Sequence, residues 1–401
     1  MRTPGLWCNV RPDRRRHLSS RRIQRSRGLP LYIELDLPRV PMARAQTTLA
    51  DIHMRMHSVI PAIKQWRSLS INFTGFMPYF WNAALSELCP RLPSPSSHAP
   101  QLERLSLIYP SNDDTKEFLL FGGYAPKLRD VTVDGLRLRW TAPLFENLTR
   151  LDYNHHAFTS GHEAVAEVLV ILRVSCRLRA LVISFPGGHA DDASFGWASQ
   201  AYTPISLDDL EQLTLRVVGD NIQRELTVLS SKLILPQLRR LRLVSNKNAL
   251  RFSGREVNAA LGSLRYHQRL DSVEVEHAWA HGRSISTFLR SLPNVRQVSA
   301  RGHRVTNEFL LLLIKPADLS RAPERHLVKI CAIGGIELLE LWDAAVTTDF
   351  VFTALMNTPS TTSIRVMNCY GVSLSRLLPY CGNRLVYESE RKDNEYSSSP
   401  V

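Results

Sequence analysis

The six residues Leu238-Arg-Arg-Leu241-Arg-Leu243 decide the fold predicted for this chain of 401 residues. They follow one pattern: an apolar residue, two variable residues, a second apolar residue, one variable residue and a third apolar residue. The same pattern returns along the chain at intervals of 20 to 36 residues. Its copies begin at Trp66, Leu102, Leu128, Leu148, Leu178, Leu210, Leu238, Leu270 and Val295.

The spacing within each copy is typical of a short β-strand on an apolar core. The last two apolar residues are two apart, so that in an extended strand both side chains point to the same side. Between copies, apolar residues recur at helical spacing, and Ser160-Gly-His-Glu163 and Ser253-Gly-Arg-Glu256 have the capping-box spacing of helix starts. Strand and return helix in repetition predict an α/β fold, namely an irregular leucine-rich-repeat solenoid with a parallel sheet on one face and helices on the other.

The net charge of +13 is concentrated at the N-terminus. Residues 1–30 contain nine Arg against the single acid Asp13, so the rest of the chain carries only +5. Such a segment can bind phosphates, can pass for a mitochondrial transit peptide, or can be a solvated helical face, which is the simplest interpretation. A nucleic-acid- or organelle-associated protein acting through this arm is therefore the alternative to the main functional prediction.

The sequence contains no motif that favours catalysis. A Walker loop, a dinucleotide-binding glycine fingerprint and a Gly-x-Ser-x-Gly elbow are all missing. His53 and His57 could form a metal pair but lack a third ligand at a matching spacing, and His155, His156 and His162 are interpreted as surface residues. We therefore predict a protein that is not an enzyme, with no catalytic residue, no metal site and no cofactor.

Cysteine usage and hydropathy indicate the compartment. The six cysteines are scattered without a Cys-x-x-Cys pair, so neither a disulfide framework nor a zinc signature is present, and reduced thiols in a cytoplasmic or nuclear protein are expected. The apolar run Phe309 to Ile314 is only six residues long, too short to span a bilayer, so we expect no membrane partner.

The outward face of the predicted sheet is the expected binding surface. In each strand the residues just before, between and after the last two apolar positions point away from the core. Opposite charges fall on adjacent strands and neutralise one another, so we expect this face to bind a protein rather than nucleic acid. The candidate partner-binding residues on it are Arg104, Asp130, Arg150, Arg240, Arg242, Glu274, Glu276 and Arg301.

A long loop from Phe185 to Ser206 interrupts the repeats and supplies two further candidates. Phe195 and Trp197 lie there among Gly, Ala and Ser, with no apolar periodicity to bury them. If exposed, they are partner-binding anchors, because buried aromatic side chains dominate interface energy. The alternative, that they fold back onto the repeats, stays open.

Three segments follow one another in the first part of the chain, Thr3-Pro4-Gly5-Leu6-Trp7, Leu29-Pro30-Leu31 and Trp66-Arg67-Ser68-Leu69. In this order they resemble the large fungal group of F-box proteins with leucine-rich repeats, and the resemblance covers most of the chain, roughly residues 3 to 380. In that group the first segment ends the F-box, and the other two open a strand and a repeat. The resemblance implies substrate recognition for an SCF-type ubiquitin ligase. Its adaptor-binding remnant would be Thr3, Pro4, Leu6 and Trp7.

Only the end of an F-box is matched, and the helices that grip the SCF adaptor have no counterpart in this sequence. We therefore expect a non-enzymatic protein-interaction module that keeps the recognition half of the function, binds a protein substrate or partner, and uses Trp7 to anchor the first repeat. The predicted organisation is an Arg-rich segment with the F-box remnant (1–30), a leucine-rich-repeat-like solenoid (31–387) and a disordered tail (388–401).

Overall fold

A computed structural model describes residues 3–12, 16–37, 47–76, 79–89, 95–112, 114–186, 202–314, 335–369 and 371–388. The chain divides into two compact units, Met1–Arg216 with Gln223–Gln237 and Val217–Ile222 with Leu238–Val401. Each unit has a parallel sheet on one face and helices on the other. The predicted fold class, an irregular α/β leucine-rich-repeat solenoid, is confirmed.

The first unit is built from short strands and return helices. Its strands are β1 (Asn9–Val10), β2 (Leu31–Leu37), β3 (Trp66–Phe73), β4 (Arg104–Ile108), β5 (Glu117–Phe118), β6 (Asp130–Asp134), β7 (Arg137–Leu138), β8 (Arg150–Asn154), β9 (Ala180–Phe185), β10 (Ile205–Ser206), β11 (Gln212–Val217) and β12 (Leu233–Ile234). Its helices are α1 (Arg16–Ser26), α2 (Leu49–Val59), α3 (Phe80–Ser86), α4 (Ala142–Phe145), α5 (Gly161–Val174) and α6 (Arg224–Lys232).

The main sheet of this unit has the order β1-β2-β3-β4-β6-β8-β9-β11, while β5 pairs with β7 and β10 with β12. From β3 to β9 the strands run parallel with the repeats in register. One row of partners is Leu69, Leu105, Val131, Leu151 and Leu181, the second apolar position of five successive copies. The sequence pattern therefore sets the pairing register.

The second unit repeats this arrangement. Its strands β13 (Arg240–Ser245), β14 (Ser272–Glu276), β15 (Gln297–Arg301), β16 (Leu338–Trp342), β17 (Ser363–Met367) and β18 (Leu385–Glu388) pair in that order and run parallel. Its helices are α7 (Gly254–Leu261), α8 (Gly282–Arg290), α9 (Asn307–Ile314), α10 (Thr348–Asn357) and α11 (Leu374–Cys381). Each helix contacts the next one along the chain.

The core follows the repeat pattern. All three apolar positions of all nine copies are buried, the most exposed being Val295 at 6%. Two further strands, β16 and β17, form where the pattern weakens, with Leu339, Leu341, Ile364 and Val366 buried in the same way. The continuous burial of one face in each unit is the main source of stability, at about 1.5–3 kcal/mol for each large apolar side chain.

The two predicted capping boxes have different outcomes. At Ser253 the box forms, since the Ser253 side chain accepts from the Glu256 N–H and the Glu256 carboxylate accepts from the Ser253 N–H. At Ser160 the side chain makes no capping bond. There the Gly161 N–H donates to the Glu225 carboxylate of α6 at 2.8 Å, so a neighbouring helix provides the acceptor that the local box would have supplied.

None of the described helices combines the length and apolar character needed to cross a bilayer. The predicted tail, 388–401, lies outside the described residues except for Glu388, which ends β18.

Candidate functional site

The outward columns of the first unit lie where the strand alternation predicts. Arg104, Asp130 and Arg150 occupy the same register position on β4, β6 and β8. The Arg150 guanidinium lies 3.6 Å from the Asp130 carboxylate, with both side chains well exposed. Such exposed pairs contribute little to stability, about 0–1 kcal/mol, so their main effect is to balance the charge of the face.

A stronger pair in this unit spans two strands. Arg216 on β11 donates through both terminal nitrogens to the Asp152 carboxylate on β8, at 3.1 and 3.2 Å. The intervening strand contributes Val182 at this position, which leaves the path open. Sequence reasoning paired only adjacent strands and therefore missed this bidentate contact.

In the second unit, arginines of β13 and β15 contact the two glutamates of the strand between them, β14. Arg242 on β13 lies 3.1 Å from Glu274 and 2.6 Å from Glu276, both on β14. Arg301 on β15 approaches Glu276 from the other side at 4.0 Å. The predicted pairs Arg242–Glu274 and Glu276–Arg301 are therefore present, and Arg240 lies exposed at the start of β13.

The two glutamates of β14 lie in different surroundings although they are two residues apart. Glu276 is almost fully buried, at 8% side-chain exposure, and Glu274 is 30% exposed. Burial raises the pKa of Glu274 above its ordinary value; Arg242 and Arg301 oppose this shift, and Glu276 adds to it. The charge of Glu274 is therefore only partly compensated by its neighbours.

A groove of about 150 Å³ lies over β15, next to Glu274. We call it the β15 groove and define it by Glu274, Ser299, Arg301, Glu340 and Trp342. Glu340 bonds on its far side to Arg365 of β17 at 2.6 Å, and the Arg301 guanidinium lies 4.9 Å from the centre of the Trp342 ring. The groove thus presents carboxylates, a hydroxyl group and an indole within one small space.

The remaining predicted site residues lie elsewhere. Phe195 and Trp197 fall outside the described residues; just beyond them, the Tyr202 hydroxyl donates to the His162 carbonyl of α5 at 2.9 Å.

The predicted adaptor-binding remnant lies at a single 3-10 turn, Pro4–Trp7, and consists of Thr3, Pro4, Leu6 and Trp7. Leu6 is 73% exposed in this turn. Trp7 is only half-buried, because it packs under the Arg25 guanidinium of α1, 4.6 Å away, rather than in the repeat core.

The interpretation of His155 and His156 as surface residues is wrong. Both side chains are 1% exposed and converge on the Glu167 carboxylate of α5, at 3.4 Å for His155 and 3.1 Å for His156. Thr159 donates to the same carboxylate oxygen at 2.7 Å, and Arg137 reaches the other oxygen at 3.1 Å. Sequence spacing could not show this, because Glu167 lies on a helix that folds back over the histidine pair.

The donors around Glu167 control its ionisation. Burial alone would raise the pKa of Glu167, but hydrogen bonds from His155, His156 and Thr159 outweigh it and hold this pKa far below the ordinary range. Burial lowers the pKa of His155. The cluster therefore places the neutral imidazole of His155 beside a carboxylate that stays ionised.

The potential ligand atoms of His155, His156 and Glu167 lie within 4.8 Å of one another, close enough for a metal ion. Their proton arrangement does not fit one. The backbone N–H groups of Ala157 and Phe158 donate to Nδ1 of His155 and His156, at 3.2 and 3.1 Å. A ring that accepts at Nδ1 carries its proton on Nε2, the atom that would have to bind the metal, whereas a metal-bound histidine donates from its other nitrogen.

The comparisons with known proteins name no family for this chain. No protein-family model and no curated protein matches the sequence. Among solved structures it is similar to a chain in the crystal structure of a TLR13–ssRNA13 complex, with 12% identity and a TM-score of 0.39. The match covers 80% of this chain and 48% of that one, so this chain spans about half the length of its structural neighbour. The assignment of the fold depends on the strands and their register.

Proposed function

We propose that this protein is a non-enzymatic interaction module whose outward sheet face binds a protein partner. One observation carries the proposal: the charged side chains of this face are paired with one another, as in Arg150–Asp130, Arg242–Glu274 and Arg365–Glu340. A face of balanced charge is a poor phosphate binder but suits a protein surface, where complementary charge patterns give specificity.

The finer assignment is that this face selects the substrate of an SCF-type ubiquitin ligase, as the resemblance to fungal F-box proteins implies. Cys8, Cys89, Cys176 and Cys369 are free thiols, which supports a reducing compartment such as the cytoplasm or nucleus. The exposed Leu6 of the N-terminal turn supplies an apolar contact for an adaptor. Binding of the purified adaptor, compared between the wild type and Leu6→Asp, tests this part by itself.

The main proposal is tested by charge reversal on the sheet face. The double variant Arg240→Glu/Arg242→Glu should lose the partner proteins that the wild type captures, as measured by quantitative affinity capture. The matched control is Arg255→Glu/Arg283→Glu, two exposed arginines at the helices α7 and α8, with the same change in charge. Capture that survives in the sheet variant and is lost in the helix control would contradict the proposal.

A second sheet variant separates binding from folding. Arg242 holds Glu274 and Glu276, so its reversal disturbs that network. Arg240→Glu/Gln212→Glu changes two exposed positions in the first outward column instead. This variant should keep the wild-type unfolding midpoint and still lose the captured partners.

The alternative function, nucleic-acid binding through the N-terminal arm, is supported by α1. Arg21, Arg22 and Arg25 are exposed on this helix, and Arg21 and Arg25 are one turn apart. Anisotropy of a labelled single-stranded oligonucleotide tests it, with Arg21→Glu/Arg25→Glu as the variant. Affinity that falls steeply with salt in the wild type and is lost in this variant would favour the alternative; affinity lost in the sheet-face variant would contradict the charge argument above.

A further inference from the structure

The β15 groove exists because a short side chain lies between two long ones. In the pairing register, Ser299 of β15 is the partner of Glu274 on β14 and of Glu340 on β16. Adjacent strands lie about 4.8 Å apart, so the two glutamate backbones are separated by about 10 Å with only a serine between them. This gap has the width of one extended side chain.

The walls of the groove keep acceptor capacity towards its interior. The contact of Glu274 with Arg242 uses Oε2, and the contact of Glu340 with Arg365 uses Oε1. Both arginines approach from the outer strands, away from β15. A carboxylate accepts up to about four hydrogen bonds. With two carboxylates and the single guanidinium of Arg301, the lining has a net charge of −1.

The third wall of the groove is aromatic. Trp342 already packs against the Arg301 guanidinium, 4.9 Å from its ring centre, which shows that a planar cation fits beside this indole. The raised pKa of Glu274 supports the same conclusion, because a further cation nearby would compensate a carboxylate that burial and Glu276 leave partly uncompensated.

We propose that the β15 groove binds an arginine side chain of the protein partner, packed along Trp342 and donating to Glu274 and Glu340. The guanidinium fits better than an ammonium group, because its planar fork can donate in two directions to carboxylates on opposite walls while its face packs on the indole. The inference rests on the proposed function and deepens it by stating the chemistry that the sheet face recognises.

The test uses N-acetyl-arginine amide as the probe and the indole N–H resonance of Trp342, assigned with Trp342→Phe, as the readout. We expect a saturable shift with a dissociation constant on the order of 10 mM, since one side chain makes few contacts. N-acetyl-citrulline amide, the uncharged isostere, should produce no saturable shift. N-acetyl-lysine amide should bind at least about threefold more weakly, and tighter binding of lysine would overturn the guanidinium assignment.

The variants locate the binding. Glu340→Gln and Glu274→Gln should each weaken binding of the arginine probe at least about threefold, because each removes one charged acceptor. The matched control is Glu337→Gln, an exposed glutamate just before β16 that pairs with Arg296 at 3.6 Å and lies outside the groove. Equal binding of citrulline, the lack of any saturable shift, or an equal loss in Glu337→Gln would overturn the proposal.

Failure of the groove and failure of the proposed function give different results. If the arginine probe does not bind but Arg240→Glu/Gln212→Glu abolishes partner capture, the sheet face is the interface and the groove is not its recognition pocket. If the probe binds but no sheet-face variant affects capture, the groove is real and the proposed function is wrong.

Discussion

Glu167 in the first unit and Glu274 in the second are almost equally exposed, at 29% and 30% of the side chain, yet their ionisation shifts in opposite directions. The pKa of Glu167 lies far below its ordinary value and that of Glu274 lies above it. Solvent exposure therefore does not decide the direction of the pKa shift of these two carboxylates. The number and charge of the neighbouring groups decide it.

The neighbours of Glu167 are all donors, on both of its oxygens: Arg137, His155, His156 and Thr159. Those of Glu274 include the donor Arg242 but also the like charge of Glu276. A carboxylate with its acceptor sites filled fixes a helix to a loop and has little capacity left for a ligand. A carboxylate that lies beside a groove and can accept further hydrogen bonds can bind a cation.

The largest expected effect is on the stability of the Glu167 cluster. Glu167→Ala should lower the free energy of unfolding by about 2–5 kcal/mol, since it removes the acceptor that His155, His156 and Thr159 share, and each buried donor left unpaired costs about 1–3 kcal/mol. Urea unfolding measures the change. Glu163→Ala, at an exposed position in the first turn of the same helix, should cost less than about 1 kcal/mol. Equal losses in the two variants would refute the structural role given to the cluster.

The second effect concerns pH. The pKa of His155 is lowered from 6.5 and that of Glu167 from 4.5, so the unfolded chain takes up these protons first as the pH falls. The stability that the cluster contributes should therefore decline from about pH 6.5 downward, by on the order of 1 kcal/mol or more. Urea unfolding between about pH 2 and 5 should show this slope in the wild type and a flatter one in Glu167→Gln, because the variant lacks the carboxylate that the unfolded chain protonates first. Above about pH 5 the slope comes from His155 and should remain in the variant. An unchanged slope below about pH 5 in the variant would contradict the assignment.

The contribution of Glu274 to stability should depend on pH in the opposite direction, and the change should be smaller. Its pKa is raised, so the unfolded chain ionises first as the pH rises through 4.5, and the contribution of this group to stability is lost in that direction. Glu274→Gln removes the repulsion from Glu276 and keeps an acceptor for Arg242. We expect a change of less than about 1 kcal/mol near neutral pH, neutral to stabilising. A decrease in the free energy of unfolding as large as that of Glu167→Ala would contradict the different roles assigned to the two carboxylates.

The smallest expected effect is that of added zinc. Because both histidines of the cluster carry their protons on the atoms that would bind the metal, stoichiometric Zn²⁺ should leave the unfolding midpoint unchanged in the wild type and in Glu167→Gln alike. A stoichiometric rise in the wild type that disappears in the variant would show that the ring protons are displaced and that the cluster is a metal site after all.

Local patterns predicted much of this molecule. The spacing in copies such as Leu238-Arg-Arg-Leu241-Arg-Leu243 identified strands, core positions and register, since alternation along a strand needs only neighbouring residues. The outward charges followed from the same alternation, and the pairs Arg242–Glu274 and Glu276–Arg301 from the adjacency of copies. The capping box at Ser253 formed, whereas the one at Ser160 was replaced by an acceptor from another helix.

The sequence by itself therefore determined the repeat, the buried rows and the charge pattern of the sheet face, because each depends on residues a few positions apart. Only the tertiary structure decided the contact of His155 and His156 with Glu167, the bridge from Arg216 to Asp152 across β9, and the groove over Ser299. Each of these depends on where separate elements meet after the helices fold back over the sheet. Hydrogen-bond geometry and groove depth depend on how residues far apart in the sequence are placed in three dimensions, and the spacing of neighbouring residues does not contain that information.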